Sequence, residues 1–229
     1  MKRFIYNIIP FILALCLLQA CKKETTEGYT HVTTFPLLSI EGSSRVTLPL
    51  GGTFSEPGYI ATIDGNDVSE KVAIKSTINA NKIGAYNVTY SIANEEGYKA
   101  EVTRDVYVYD PTPSIMPSKA YQVQSGSNRN GTVSFNGYTI AVYQTSPGIF
   151  TITDFLGGYY DKRAGYGIKY AALGKFKLNG DNTLSLIESF VAGWGDSLSA
   201  LENGKFDPAT KTISFTAVYA GFNFNIILK

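Results

Sequence analysis

Residues 204–215 read Gly-Lys-Phe-Asp-Pro-Ala-Thr-Lys-Thr-Ile-Ser-Phe: an apolar run, a polar turn, a second apolar run. The same form spans 174–186 around Asn179-Gly180-Asp181-Asn182, and 138–153 across Ser146-Pro147-Gly148. Asp-Pro and Asn-Gly favour tight reversals, because Pro fixes its own backbone torsion and Gly and Asn accept left-handed ones. The last run, Gly221 to Leu228, alternates apolar and polar. Side chains of a strand point alternately to opposite faces, so such a run buries one face and wets the other. Residues 118–229 are therefore expected to form an antiparallel meander curled into a sandwich or a barrel. Asp196 to Asn203 is the one stretch assigned to a short helix.

The first half has the same character. Leu37 to Ile40, Arg45 to Leu48, Val72 to Ile74, Tyr86 to Ile92 and Val102 to Tyr109 are strand-like runs. In Tyr86 to Ile92 the residues Tyr86, Val88, Tyr90 and Ile92 share one face. Gly51-Gly52, Asp64-Gly65-Asn66-Asp67 and Glu95-Glu96-Gly97 punctuate them. Strands at this spacing predict a β-sandwich over 35–110, and the whole chain is expected to be all-β. Pro111, Pro113 and Pro117 then predict a stiff linker over 111–117. Several quoted motifs also resemble a bacterial immunoglobulin-like domain, found in surface proteins and in a pesticidal crystal protein. They are Gly51-Gly52, Glu56-Pro57-Gly58, the Asp64–Asp67 turn, Gly84 to Tyr90, and Arg104 to Val108. The resemblance implies an Ig-like β-sandwich used as a spacer.

The N-terminus reads as an export signal: Lys2 and Arg3, then the apolar stretch Phe4 to Leu18, then Ala20 before Cys21. The stretch is short for a membrane span, which takes about 20 apolar residues. Leu18-Gln19-Ala20-Cys21 resembles a bacterial lipobox. That resemblance implies a signal peptide over 1–20, removed on processing, and a lipid on Cys21 that anchors the chain to a membrane. The chain has two cysteines, and Cys16 leaves with the signal. No disulfide framework or thiolate site is then expected. Residues 21–34 read as a polar tether. Lys22-Lys23-Glu24 resembles a surface-export signal, which puts the expected location on the outer membrane, facing outward.

Without Lys2 and Arg3, 18 basic residues stand against 19 acidic ones, a net of −1. Such a chain has no field to attract nucleic acid, and no nucleic-acid partner is expected. The single histidine, His31, lies in the tether. That removes His-dependent triads and zinc sites from the folded part. No catalytic residue, metal or cofactor is assigned. Asp154, Asp161, Glu188 and Asp196 could supply paired carboxylates, but no feature singles one out as an acid. Asp64, Asn66, Asp67 and Glu70 read as a turn rather than as calcium ligands.

The most unusual stretch is Gly157 to Gly167, glycine- and tyrosine-rich with one Asp, one Lys and one Arg. No Gly-Lys-Ser/Thr follows, so it is not a phosphate loop. It reads as an open loop, with no helix after it. Aromatic faces stack on the C–H face of a pyranose, and charged groups bond its hydroxyls. Tyr159, Tyr160, Tyr166 and Trp194 are the expected stacking residues, with Asp161, Arg163 and Asp196 for hydroxyls. The competing expectation is that Trp194, the only tryptophan, fills the core. Asp196-Ser197-Leu198 resembles a bacterial O-glycosylation acceptor, which implies a modified Ser197 on the surface.

Residues 154–186, with the later Trp194 to Leu198 and 203–215, resemble the C-terminal domain of small lipoproteins of glycan-foraging Gram-negative bacteria. Some of these are encoded beside outer-membrane glycan importers. The resemblance implies a non-catalytic accessory that binds a polysaccharide or oligosaccharide, with importer proteins as partners. The alternative it leaves open is a structural or protein-docking subunit that binds no sugar.

Overall fold

Among the described residues, seventeen strands, β1 to β17, build four sheets, and short helical turns interrupt them. A computed structural model describes residues 33–229. The signal stretch, Cys16, Cys21, the Lys22–Glu24 segment and His31 lie outside the described residues.

The first two sheets form the Ig-like half. One holds β1 (Leu37–Ile40), β3 (Tyr59–Ile63) and β4 (Asn66–Asp67). The other runs in the order β2 (Arg45–Pro49), β7 (Lys99–Tyr109), β6 (Gly84–Ala93), β5 (Ala73–Ser76). Its β2–β7 pair is parallel and the rest antiparallel. The alternation in β6 does what the sequence implies: Val88, Tyr90 and Ile92 are buried, with Tyr86 packed beside them. The Asp64–Asp67 stretch is the β3–β4 turn, with Asp64 and Gly65 at positive φ.

Arg104 holds this half together from inside. Its side chain is fully buried and donates to the carbonyls of Glu41, Ser43 and Gly58. It also pairs with Glu56 at 3.2 Å and bonds the Tyr90 hydroxyl at 3.4 Å. A buried guanidinium is tolerated only when its donors are satisfied, and these partners come from three separate loops and strands.

The second half is a sandwich of two five-stranded antiparallel sheets, so the barrel alternative is not realised. One sheet has the order β14 (Leu184–Val191), β13 (Ala172–Leu178), β12 (Ile149–Ile152), β11 (Thr139–Ser146), β8 (Lys119–Gln122). The other has β10 (Val133–Ser134), β9 (Asn128–Arg129), β17 (Phe222–Leu228), β16 (Thr212–Tyr219), β15 (Ala200–Asp207). Phe150, Phe176, Phe155 and Phe215 meet between them as stacked and edge-to-face rings. The expected helix over Asp196 to Asn203 is absent. Val191 bridges Asp196, Leu198 is buried, and β15 starts at Ala200. A bulge between Glu202 and Lys205, with Asn203 at φ 53°, breaks the period-two pattern there.

The proline segment does not stand clear of the fold. Met116 is buried in the C-terminal core. The Asp110 amide donates to the Gln144 carbonyl at 2.8 Å, and Gln144 Nε2 returns bonds to the carbonyls of Asp110 and Thr112. Tyr107 of β7 stacks on Tyr143 of β11 at 5.1 Å, and both are buried with Ala141. Residues from Phe35 to Lys229 therefore form one compact unit.

Candidate functional site

The site begins with a carboxylate. Asp154 follows β12, is only 2% exposed, and accepts three backbone N–H bonds. They come from Leu156 (2.8 Å) and Ala172 (2.9 Å) to Oδ1 and from Gly158 (2.7 Å) to Oδ2. Both ends of the 154–172 loop are thus tied to one side chain. Burial pushes the Asp154 carboxyl up to about 6, against the pull of the three amides. One of the four candidate acids does therefore have a raised pKa. Its oxygens are spent on the loop backbone, which makes it a structural acid.

Between those anchors the glycine-rich stretch is ordered, contrary to the open loop expected. Tyr159–Arg163 form a π-helical turn and Ile168–Tyr170 a 3₁₀ turn. The Arg163 amide reaches back to the Gly158 carbonyl at 2.9 Å, the wide i→i+5 closure of a π turn. Gly158 sits at φ 80°, and a Cβ there would lie 3.0 Å from the Tyr138 ring carbon and Cβ.

This turn sends its tyrosines in different directions. Tyr159 is buried, with its ring edge-on to Phe135 and Phe224. It is a core residue and offers no face for stacking. Asp161 is also buried and pairs with Lys162 at 3.2 Å. Tyr160 is half-buried behind the surface, and Tyr166 is 56% exposed.

Trp194 meets them from the β14–β15 connection. Val191 accepts from the amides of Trp194 and Gly195, which closes the turn. A Cβ at Gly193 would lie 2.5 Å from the Tyr170 ring, so only glycine lets that ring close down. Trp194 is 43% exposed. It is not a core residue, and other aromatic rings brace it. Tyr170 and Tyr160 press on it edge-to-face at 4.7 and 4.8 Å, and Tyr219 lies behind it at 5.9 Å. Tyr166 meets Trp194 at an interplanar angle of 80°, so the two exposed rings make a corner.

Polar groups border this corner. Asp196 is exposed and accepts the Tyr219 hydroxyl at 2.6 Å. Burial, then this bond, pushes the Tyr219 hydroxyl well up. Ser197 is exposed and donates to the Ser189 carbonyl. Arg163 is exposed, with its guanidinium 5.2 Å from the Tyr159 ring centre. Arg129 is a residue sequence reasoning missed. It lies in the two-residue β9, and pairing with Phe224 of β17 carries it beside the tyrosines. Burial pushes the Tyr160 hydroxyl up, and the nearby Arg129 guanidinium opposes that shift. No local pattern around Asn128-Arg129 signals this.

A second concavity lies where the two halves meet, a groove of about 660 Å³. Ile83, Ala85 and Tyr107 form one wall, and the outer face of β11–β14 forms the other. Leu173 and Phe190, cross-strand partners, and Ile168 are each at least half exposed at its rim. Among the described residues no helix is long and apolar enough to cross a membrane.

Comparison with known proteins follows the same division. A model of the Ig-like domain of bacterial surface proteins matches residues 38–108, and a family model for a C-terminal domain matches residues 109–229. Neither describes a catalytic domain. No curated protein matches. The crystal structure of the lipoprotein BT2262 from Bacteroides thetaiotaomicron is 48% identical, covering 85% of this chain and 100% of that one, with a TM-score of 0.77. A structure of CBM51-2 in complex with GlcNAc and INT domains from Clostridium perfringens ZmpB is 19% identical over 51% of this chain and 31% of that one. Its TM-score is 0.28, a level at which nothing follows about fold or ligand. The chain belongs to the family of the Bacteroides lipoprotein, with a bacterial-surface Ig-like domain ahead of that family's C-terminal β domain.

Proposed function

We propose that this chain is a lipid-anchored envelope protein whose C-terminal domain binds carbohydrate without catalysis. It serves a glycan importer of the outer membrane and faces outward from Cys21. The observation that carries the reading is the corner of Trp194 and Tyr166, exposed at a right angle and braced by Tyr160, Tyr170 and Tyr219. A pyranose stacked on one ring abuts the other, and its equatorial hydroxyls face the bordering Asp196 carboxylate and Arg129. Rigid aromatics bind at low entropic cost, because little side-chain freedom remains to be lost. Affinity electrophoresis of the chain through polysaccharide gels tests this. Retardation by one glycan is expected, abolished in Trp194→Ala whose circular dichroism stays native. Equal mobility in every gel removes the reading.

A second reading has its own support. Ile168, Leu173 and Phe190 are aliphatic or apolar groups exposed together, which sugar does not require and a protein partner would cover. On that reading the chain is a docking subunit. Co-purification of importer proteins with the wild type but not with a Leu173→Glu, Phe190→Glu variant supports it.

A further inference from the structure

The guanidinium groups of Arg129 and Arg163 converge on a single buried ring. Arg129 lies 4.9 Å and Arg163 5.2 Å from the centre of Tyr159. Arg129 also lies 4.7 Å from the Phe222 ring centre, so it is held between two aromatic groups. Among the described residues neither arginine forms a salt bridge, whereas Arg45 and Arg104 each do. Lys162, the nearest cation in sequence, already has Asp161. Arg129 is half-buried. A cation partly withdrawn from water and unmatched by a carboxylate has lost hydration without regaining a counter-charge. Cation–π contact offsets only part of that loss. The planar fork of arginine matches a carboxylate or sulfate through paired hydrogen bonds.

These arginines adjoin the aromatic corner. The Tyr159 ring that both guanidinium groups approach meets Tyr160 edge-on at 5.0 Å, and Tyr160 stacks parallel to Tyr166 at 6.0 Å and meets Trp194 at 4.8 Å. We infer that the saccharide bound at the corner is anionic, its acid group placed between Arg129 and Arg163 while a ring stacks on Tyr166 or Trp194. This rests on the carbohydrate reading above and narrows it to glycans carrying carboxylate or sulfate. Asp196 borders the other side, at Tyr219, and takes neutral hydroxyls there.

The test is affinity electrophoresis of the whole chain in four gels: a neutral polysaccharide, a polyuronate, a sulfated polysaccharide, and polyglutamate as a sugar-free polyanion. Retardation by the polyuronate or by the sulfated glycan is expected, and which of them retards names the acid group. Arg129→Met keeps the apolar stem between Tyr159 and Phe222. Arg163→Met alters an exposed side chain and leaves the core alone. Each should weaken binding about tenfold or more, as loss of a charge-assisted pair does. Retardation by the neutral glycan alone, or unchanged binding in both variants, overturns the anionic assignment and leaves the carbohydrate reading standing. Equal retardation by polyglutamate overturns it as well, since charge alone then suffices. No retardation in any gel removes the carbohydrate reading itself.

Discussion

Replacing Asp154 by asparagine tests how the candidate site is held. The carboxylate accepts from Leu156, Gly158 and Ala172, and among the described residues no other side chain joins both ends of the loop in this way. In Asp154→Asn the amide oxygen can keep the Leu156 and Ala172 bonds. The amide nitrogen then faces the Gly158 N–H, donor against donor, in a site only 2% exposed. A buried N–H left unpaired costs about 1–3 kcal/mol. A pH-dependent part is superposed. Burial raises the folded-state pKa from 3.8 to about 6. The unfolded chain ionises near the lower value. The folded state thus binds the proton more tightly, and this group's stabilising contribution is complete below the unfolded pKa. It is lost as pH rises through about 6. That difference corresponds to roughly 3 kcal/mol. Urea unfolding of wild type and Asp154→Asn across this range gives the difference in stability, in which the other carboxylates cancel. Wild type should lose its advantage over the variant as pH rises from about 4 to about 7. If the advantage instead grows with pH, the three N–H donors outweigh burial and the folded pKa lies below the ordinary value.

Other outcomes follow from single contacts. Arg104→Ala strands the Glu41 and Gly58 carbonyls and the Glu56 carboxylate in the Ig-like half, and should cost about 3–5 kcal/mol in chemical unfolding. Gly158→Ala combines a φ of 80° with a 3.0 Å approach to Tyr138. It should lower stability by about 1–3 kcal/mol, and near-ultraviolet circular dichroism should report loosening of the tyrosine layer. Tyr143→Ala removes the ring stacked on Tyr107 at 5.1 Å. It should cost about 2–4 kcal/mol, and calorimetry should show one transition separating into two as the halves uncouple.

How much was legible in the sequence depended on how local the cause is. The hairpins 174–186 and 204–215 were readable because turn residues and period-two burial lie within a dozen positions. β13–β14 and β15–β16 form there. The Asp196–Asn203 stretch misled because Leu198 and Leu201 are spaced like a helical face, while the bulge that resets the strand shows only in pairing with β16. Tyr159 and Tyr160 are adjacent and chemically identical. Only the π turn decides that one enters the core and the other lines the surface. Arg129 was invisible for the same reason, since its place beside Tyr160 is set by pairing with a strand almost a hundred residues later. Asp154 resembled any acid at a strand end, and its three amide partners appear only once the loop closes.

The chain's single tryptophan lies at the proposed site, which makes it the most direct reporter. Titrating the protein with soluble oligosaccharides while following Trp194 fluorescence tests the central claim. The account predicts a saturable change with one class of glycan, lost in Tyr166→Ala and weakened in Arg129→Met. A flat signal with every glycan, from a protein whose Trp194 remains quenchable by acrylamide, would contradict it and leave docking through the Ile168, Leu173 and Phe190 face as the remaining reading.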